Sequence, residues 1–173
     1  IDIKKIIIFT LVFIFFIQPV NALETADLPL TAEVYLSYDY EYEKIMYAKN
    51  IDTSIAPASI TKLMTALILY ENFPLNHEFI TSYPANYAYS GKVAYIPEGI
   101  SVTTEELLEL LLVYSANDAA YIVANSVFSN YEEFIIEMNK KSKSLSMLST
   151  NFVNPDGLDE ENHFTTANDL LKL

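Results

Sequence analysis

Apolar and polar positions alternate over residues 34–39: Val34, Leu36 and Tyr38 interleave with Tyr35, Ser37 and Asp39. A period of two is the mark of a half-buried strand. Lys44 to Lys49 reads as a second strand, and the two are expected to pair as a hairpin. Their connection, Asp39 to Glu43, offers neither glycine nor proline as a turn signal. From Pro57 the period changes. Ile60, Met64, Leu67 and Ile68 recur at helical spacing and are expected to face a core, in a helix that runs to about Tyr70. Pro57 sits just ahead of it, where a missing N–H costs nothing. Residues 72–100 are punctuated by Pro74, Pro84, Gly91, Pro97 and Gly99, which predicts loops and short elements, with His77 a surface loop residue.

Helical signals dominate the remainder. Thr103-x-x-Glu106 is a capping box, and the run Leu107 to Val113 is apolar nearly all round, so that helix is expected to be buried on most sides. An alanine-rich helix is predicted from Asp118 to about Val127. Between the two lies the polar link Ser115-Ala116-Asn117. Asn130-x-x-Glu133 caps a further helix with Phe134, Ile135 and Met138 as its inner stripe and Glu132, Glu133, Glu137, Lys140 and Lys141 as a solvated face. Asn154-Pro155-Asp156-Gly157 reads as a turn, and Thr165 or Thr166 as the cap of a last helix.

The N-terminus has a different character. Lys4 and Lys5 precede a run from Ile6 to Ile17 that is apolar apart from Thr10, then Gln18-Pro19 and the small residues up to Ala22. This is the layout of a secretory signal over 1–22, with cleavage after Ala22. The run is short for a membrane span, which needs about 20 residues. Residues 23–31 read as a linker and 32–173 as one domain. Export places the protein outside the cytoplasm, in the periplasm or cell envelope.

Composition then excludes several functions. There is no cysteine, hence no disulfide and no thiolate metal site. The two histidines lie far apart in sequence, which argues against zinc, and no cofactor is expected. A formal net charge of −13 with no arginine speaks against nucleic acid as a partner.

The chemistry resides in Ser59 and Lys62. Three residues apart on a helix, they share one face. A serine hydroxyl needs an adjacent base to become a nucleophile, and a neutral lysine amine can be that base. The repulsion of a positive charge by a helix N-terminus, about 0.3–1 kcal/mol, is less than one pKa unit of about 1.36 kcal/mol. Burial or another cation must supply the rest. By spacing alone, Ser-x-x-Lys is better read as a solvated helix start with Ser59 near the cap.

The surroundings are more specific. Pro57-Ala58-Ser59-Ile60-Thr61-Lys62-Leu63-Met64-Thr65 resembles the active-site box of the penicillin-recognising serine D-alanyl-D-alanine carboxypeptidases, which share Ser-x-x-Lys chemistry with β-lactamases. Ser115-Ala116-Asn117 resembles their Ser-x-Asn motif. Ser149-Thr150-Asn151 matches the bare pattern but precedes a turn and is read as a decoy. The likeness extends through residues 114–120, 151–158 and 163–167, and so from about residue 32 to the end of the chain. In Tyr89-Ser90-Gly91-Lys92, Lys92 stands where the family often has small hydroxyl residues.

The resemblance implies an α+β fold, an antiparallel sheet backed by helices plus a helical lobe, truncated here before the later strands. It implies catalytic roles for Ser59 as nucleophile, Lys62 as base and Ser115 as proton relay. Asn117 would hydrogen-bond the substrate amide or Lys62. The substrates implied are peptidoglycan stem peptides, with β-lactams as inhibitors. Peripheral membrane association would require a segment beyond these residues. The family's third motif, Lys-Thr-Gly or Lys-Ser-Gly, is not in the chain. Residues 23–173 alone are therefore expected to be inactive and poorly folded. A cross-link-cutting endopeptidase, a class A-like β-lactamase and a non-catalytic cell-wall-binding homologue are the rival readings. Against the β-lactamase, position 116 is alanine where Ser-Asp-Asn is expected, and residues 150–173 hold no Glu-x-x-x-Asn. A Ser-His-Asp hydrolase is disfavoured because His163 is more simply a packing or turn residue.

Overall fold

The computed structural model describes residues 30–85, 87–128 and 130–173. The expected signal segment and most of the linker lie outside the described residues. Strands β1 (Tyr35–Asp39) and β2 (Lys44–Lys49) pair antiparallel as a two-stranded sheet. Met46 is the extra residue of a bulge between the Ser37–Tyr47 and Tyr38–Ile45 pairs. The turn works without glycine or proline. Asp39 Oδ1 accepts the N–H groups of Glu41 and Tyr42, each at 3.0 Å, and Glu43 takes the positive φ of 48°.

A short 3₁₀ turn, Ala58–Ile60, runs directly into helix α1 (Thr61–Asn72). A second two-stranded ribbon, β3 (Glu78–Ile80) with β4 (Ser101–Thr103), brackets the loop region between them. His77, at the foot of β3, lies with its ring centroid 4.6 Å from those of both Phe73 and Phe79. Helix α2 (Thr104–Glu109) starts on the complete capping box: Thr103 Oγ1 accepts from Glu106 N, and Glu106 Oε2 accepts from Thr103 N. It widens into a π turn, Leu110–Tyr114, which ends at Ser115 in the left-handed conformation. Helices α3 (Asn117–Ser126), α4 (Tyr131–Ser144) and the short α5 (Ala167–Leu170) complete the set among the described residues. Thr166, not Thr165, caps α5, its Oγ1 accepting from Asp169 N.

Residues Glu33–Leu173 form one unit with a single helical core. Helix α1 packs against α2, the π turn, α3 and α4. Met64 and Leu69 of α1 meet Leu107 and Leu111, the alanine-faced α3 with Ile122 and Val123, and Phe134 and Met138 of α4. Alanines 116, 119, 120 and 124 are wholly buried, which lets α3 approach its neighbours closely.

Two expectations fail here. Ile60 does not face the core but is 46% exposed, because it belongs to the 3₁₀ turn, whose three residues per turn rotate it off the α1 stripe. The run Leu107–Val113 is not buried on most sides. Leu107 and Leu111 are, but Val113 is 84% exposed: the π turn changes the angular step and rotates the last residues outward.

Candidate active site

Ala58 precedes the serine with φ +48°, a left-handed conformation that costs a non-glycine residue about 1–2 kcal/mol. The strain presents Ser59 on the surface, and its hydroxyl makes no hydrogen bond among the described residues. One turn on, Lys62 is 1% exposed, and its Nζ donates to the main-chain carbonyl of Asp156 at 2.6 Å. Burial holds Lys62 below the ordinary lysine range, while the nearby Asp156 charge pulls it back up. The amine is thus moved in the direction that a base requires.

The turn Asn154–Leu158 is docked on α1 residue by residue. Thr65 Oγ1 donates to Pro155 O at 2.7 Å, next to the Lys62 bond. Gly157, at φ +88°, lies so close that a Cβ there would stand 1.8 Å from Ala58 O and 3.0 Å from Thr61 Oγ1. Asn154 shapes the turn from within: its Oδ1 accepts Gly157 N–H, and its Nδ2 donates to Leu158 O and to Glu160 Oε2. Asp156 is itself buried. Its Oδ1 accepts Leu158 N–H, and its Oδ2 is enclosed without a partner. Burial therefore pushes its carboxyl above the usual range, opposed by the Leu158 bond and the Lys62 charge.

His163 fixes the same helix from the other side. Its Nδ1 accepts Val153 N–H at 3.0 Å, which leaves the proton on Nε2 to be donated to Thr61 Oγ1, also at 3.0 Å. Burial lowers its pKa and keeps it neutral. It braces Thr61 and Val153, where the sequence alone suggested a packing or turn residue. The decoy Ser149–Asn151 anchors the C-terminal part instead. Ser149 N and Thr150 Oγ1 both donate to Asp169 Oδ2, and Asn151 forms a bridge with Phe164.

The second motif is built where the π turn ends. Ser115 has φ +62° and Ala116 N–H donates back to Leu110 O, so the link is a tight cap rather than a loop. Asn117, the first residue of α3, is clamped by the segment opposite. Its N–H donates to Lys92 O at 2.7 Å and its Nδ2 to Ser90 O at 2.9 Å. Gly91 is the reason that segment can approach, since a Cβ there would stand 2.5 Å from Asn117 Nδ2 and 3.5 Å from Leu158 Cδ2. Buried Asp118 holds the continuation of the segment by accepting Ala94 N–H and Ile96 N–H. The contacts Ala58–Gly157 and Leu158–Gly91–Asn117 bring the second motif to the side of the turn that supports the first. No hydrogen bond joins Ser59, Lys62, Ser115 and Asn117 among the described residues, and the Asn117 amide is engaged by Ser90 O rather than by Lys62.

Sequence reasoning passed over Asp156, Gly157, Thr61, Thr65 and Asp118 as site-builders. The signals were present in Asn-Pro-Asp-Gly and in an aspartate on the first turn of α3, but a turn motif does not say what it docks against.

Residues 21–173 match the family model described as D-alanyl-D-alanine carboxypeptidase. The chain belongs to this family. Among relatives of the D-alanyl-D-alanine carboxypeptidase family, it is 33% identical over 151 residues to the carboxypeptidase DacF of Bacillus subtilis, covering 84% of this chain and 39% of DacF. It is 34% identical over 136 residues to the D-alanyl-D-alanine endopeptidase of Escherichia coli K12, covering 78% of this chain and 44% of the relative. The fold matches the crystal structure of the carboxypeptidase DacD from Francisella tularensis with a TM-score of 0.78 at 31% identity, over 86% of this chain and 37% of that one. Penicillin-binding protein D2 of Listeria monocytogenes in its cefotaxime-bound form matches with a TM-score of 0.72 at 28% identity, over 84% and 61%. The chain thus spans about two fifths of the length of the curated relatives, and its α+β fold is part of the DD-peptidase fold, as expected.

Proposed function

We propose that the protein to which this chain belongs is a serine D-alanyl-D-alanine carboxypeptidase acting on peptidoglycan stem peptides. The observation that carries this reading is the buried Lys62, tied to Asp156 O one helical turn from an exposed Ser59. A neutral amine keeps a lone pair while donating one N–H to that carbonyl, so it can accept a proton as Ser59 Oγ attacks. The new C–O bond forms to the carbonyl between the two D-alanines. Ser115 passes a proton to the departing nitrogen, the C–N bond breaks, and D-alanine leaves. Water then attacks the ester and releases the shortened peptide and the Ser59 hydroxyl. The Ser59 N–H, in the 3₁₀ turn that leads into α1, supplies one oxyanion donor. The family's other donor comes from the third motif, and losing one typically costs about 10²–10³ in rate. The activity therefore belongs to the whole protein. β-Lactams acylate the same serine. Export through the 1–22 segment brings the enzyme to its substrate outside the cytoplasm. Among the described residues no helix is long and apolar enough to cross a membrane.

Labelling by a fluorescent penicillin tests the assignment. Ser59→Ala is expected to abolish it, and undiminished labelling of that variant overturns the reading. A DD-endopeptidase is the second reading, favoured by the comparable identity to the E. coli endopeptidase. Release of D-alanine from a linear pentapeptide against cleavage of a cross-linked dimer separates the two.

A further inference from the structure

Between Lys49 and Lys140 the sequence holds two lysines, Lys62 and Lys92, against eleven acidic residues. Lys62 is buried in the site. Lys92 is exposed, and it is fixed to the second motif twice over. Its own carbonyl accepts Asn117 N–H at 2.7 Å, and its Nζ stands 4.5 Å from the ring centroid of Tyr114, the residue immediately before Ser115. The backbone around it has little freedom. Ser90 O holds the Asn117 amide, Gly91 is pressed against Asn117 and Leu158, and Ala94 and Ile96 hang from buried Asp118.

An ammonium held over an aromatic face gains only about 0.5–1 kcal/mol at an exposed site. All three of its N–H donors stay available, and no ion pair or hydrogen bond from Lys92 Nζ exists among the described residues. Of the other lysines of the helical body, Lys140, Lys141 and Lys172 each hold a carboxylate of the protein itself, and Lys143, which does not, stands in the last turn of α4 rather than against a site motif. A positioned, unpaired cation at the mouth of a site, in a protein of net charge −13, attracts an anion that the rest of the surface repels.

We propose that Lys92 is a specificity-determining residue that binds a carboxylate of the peptide substrate beside Ser115 and Asn117. This rests on the peptidase reading above. The carboxylate is either the C-terminal one or a side-chain carboxylate on the residue preceding D-Ala-D-Ala, and the experiment separates them.

Binding to the Ser59→Ala variant of the whole protein that contains this chain is followed by NMR titration, which needs no turnover. Four N-acylated peptides ending in D-Ala-D-Ala are compared: with and without a C-terminal amide, and with the preceding residue bearing a side-chain carboxylate or its amide. Lys92→Met should weaken the carboxylate form by up to about fivefold, the upper end for an exposed ion pair, and leave the matching amide unchanged. Lys92→Arg should restore affinity, and high salt should erase the difference. The arm in which the effect disappears on amidation identifies the carboxylate. Equal weakening of acid and amide overturns the proposal, as does no weakening, or no binding of any peptide by the parent. Penicillin labelling of the whole protein with Ser59 intact is scored separately: absence of labelling with a retained Lys92-dependent preference counts against the peptidase reading and for the carboxylate contact.

Discussion

Replacing Gly157 by alanine tests how the lysine is held. Two costs follow from the geometry. A φ of +88° in a residue with a Cβ costs about 1–2 kcal/mol. The Cβ would also stand 1.8 Å from Ala58 O, a backbone atom that cannot rotate away, so the turn must lift off α1. Lifting it strains or breaks the Lys62–Asp156 O bond, and leaving a buried polar group without its partner costs about 1–3 kcal/mol. Gly99 supplies the internal control. Its φ is +80°, but an added Cβ meets nothing within 4 Å, so Gly99→Ala carries the conformational cost alone. The difference between the two variants should therefore be about 1–3 kcal/mol, or about five- to 150-fold in the opening constant of α1. Native-state hydrogen exchange at the amides of Met64–Leu69 reads that constant directly. Equal protection in Gly157→Ala and Gly99→Ala would refute the claim that the turn is wedged against the serine helix.

Other outcomes follow from single contacts. Asp156→Asn removes the charge that raises the Lys62 pKa, so the acidic limb of penicillin acylation by the active protein should move to lower pH; an unmoved limb shows that no carboxylate charge reaches Lys62. His163 has a folded pKa below its ordinary 6.5, so its contribution to stability is full above pH 6.5 and is lost as pH falls through the folded value. His163→Gln should flatten that acid-side decline in urea midpoint, read by tyrosine fluorescence in a chain with 13 tyrosines and no tryptophan. Thr103→Ala removes one arm of the capping box and should cost about 1 kcal/mol in urea unfolding. Residues 23–173 alone are expected to take no label from fluorescent penicillin, and a Ser59-dependent label on that fragment would contradict the need for a third motif.

Much of the architecture was legible because local signals and tertiary demands agree. The Thr103–Glu106 box, the Asn130 cap and the Phe134–Met138 stripe each specify a helix with no help from distant residues. The hairpin was legible from its alternation, although its turn depends on an aspartate side chain that a search for glycine and proline misses. Ile60 and Val113 were misplaced for one reason: periodicity assumes a constant angular step, and a 3₁₀ turn and a π turn each change it within a few residues. In the candidate site, the residue types at 59, 62, 115 and 117 were readable. Their supports were not, because Asp156 O, Gly157 and Ser90 O act through the backbone and across long sequence separations.

The acceptor on Lys62 is a peptide carbonyl, and every amino acid has one. No codon change at position 156 can delete it, so the lysine's tether is shielded from the commonest route by which a protein loses a polar contact. Selection must instead act one residue away, on the glycine whose missing side chain lets that carbonyl reach its place. Asp156 can change without loss of the tether, though not of its charge beside Lys62, whereas the chemically inert Gly157 cannot gain a side chain without displacing it.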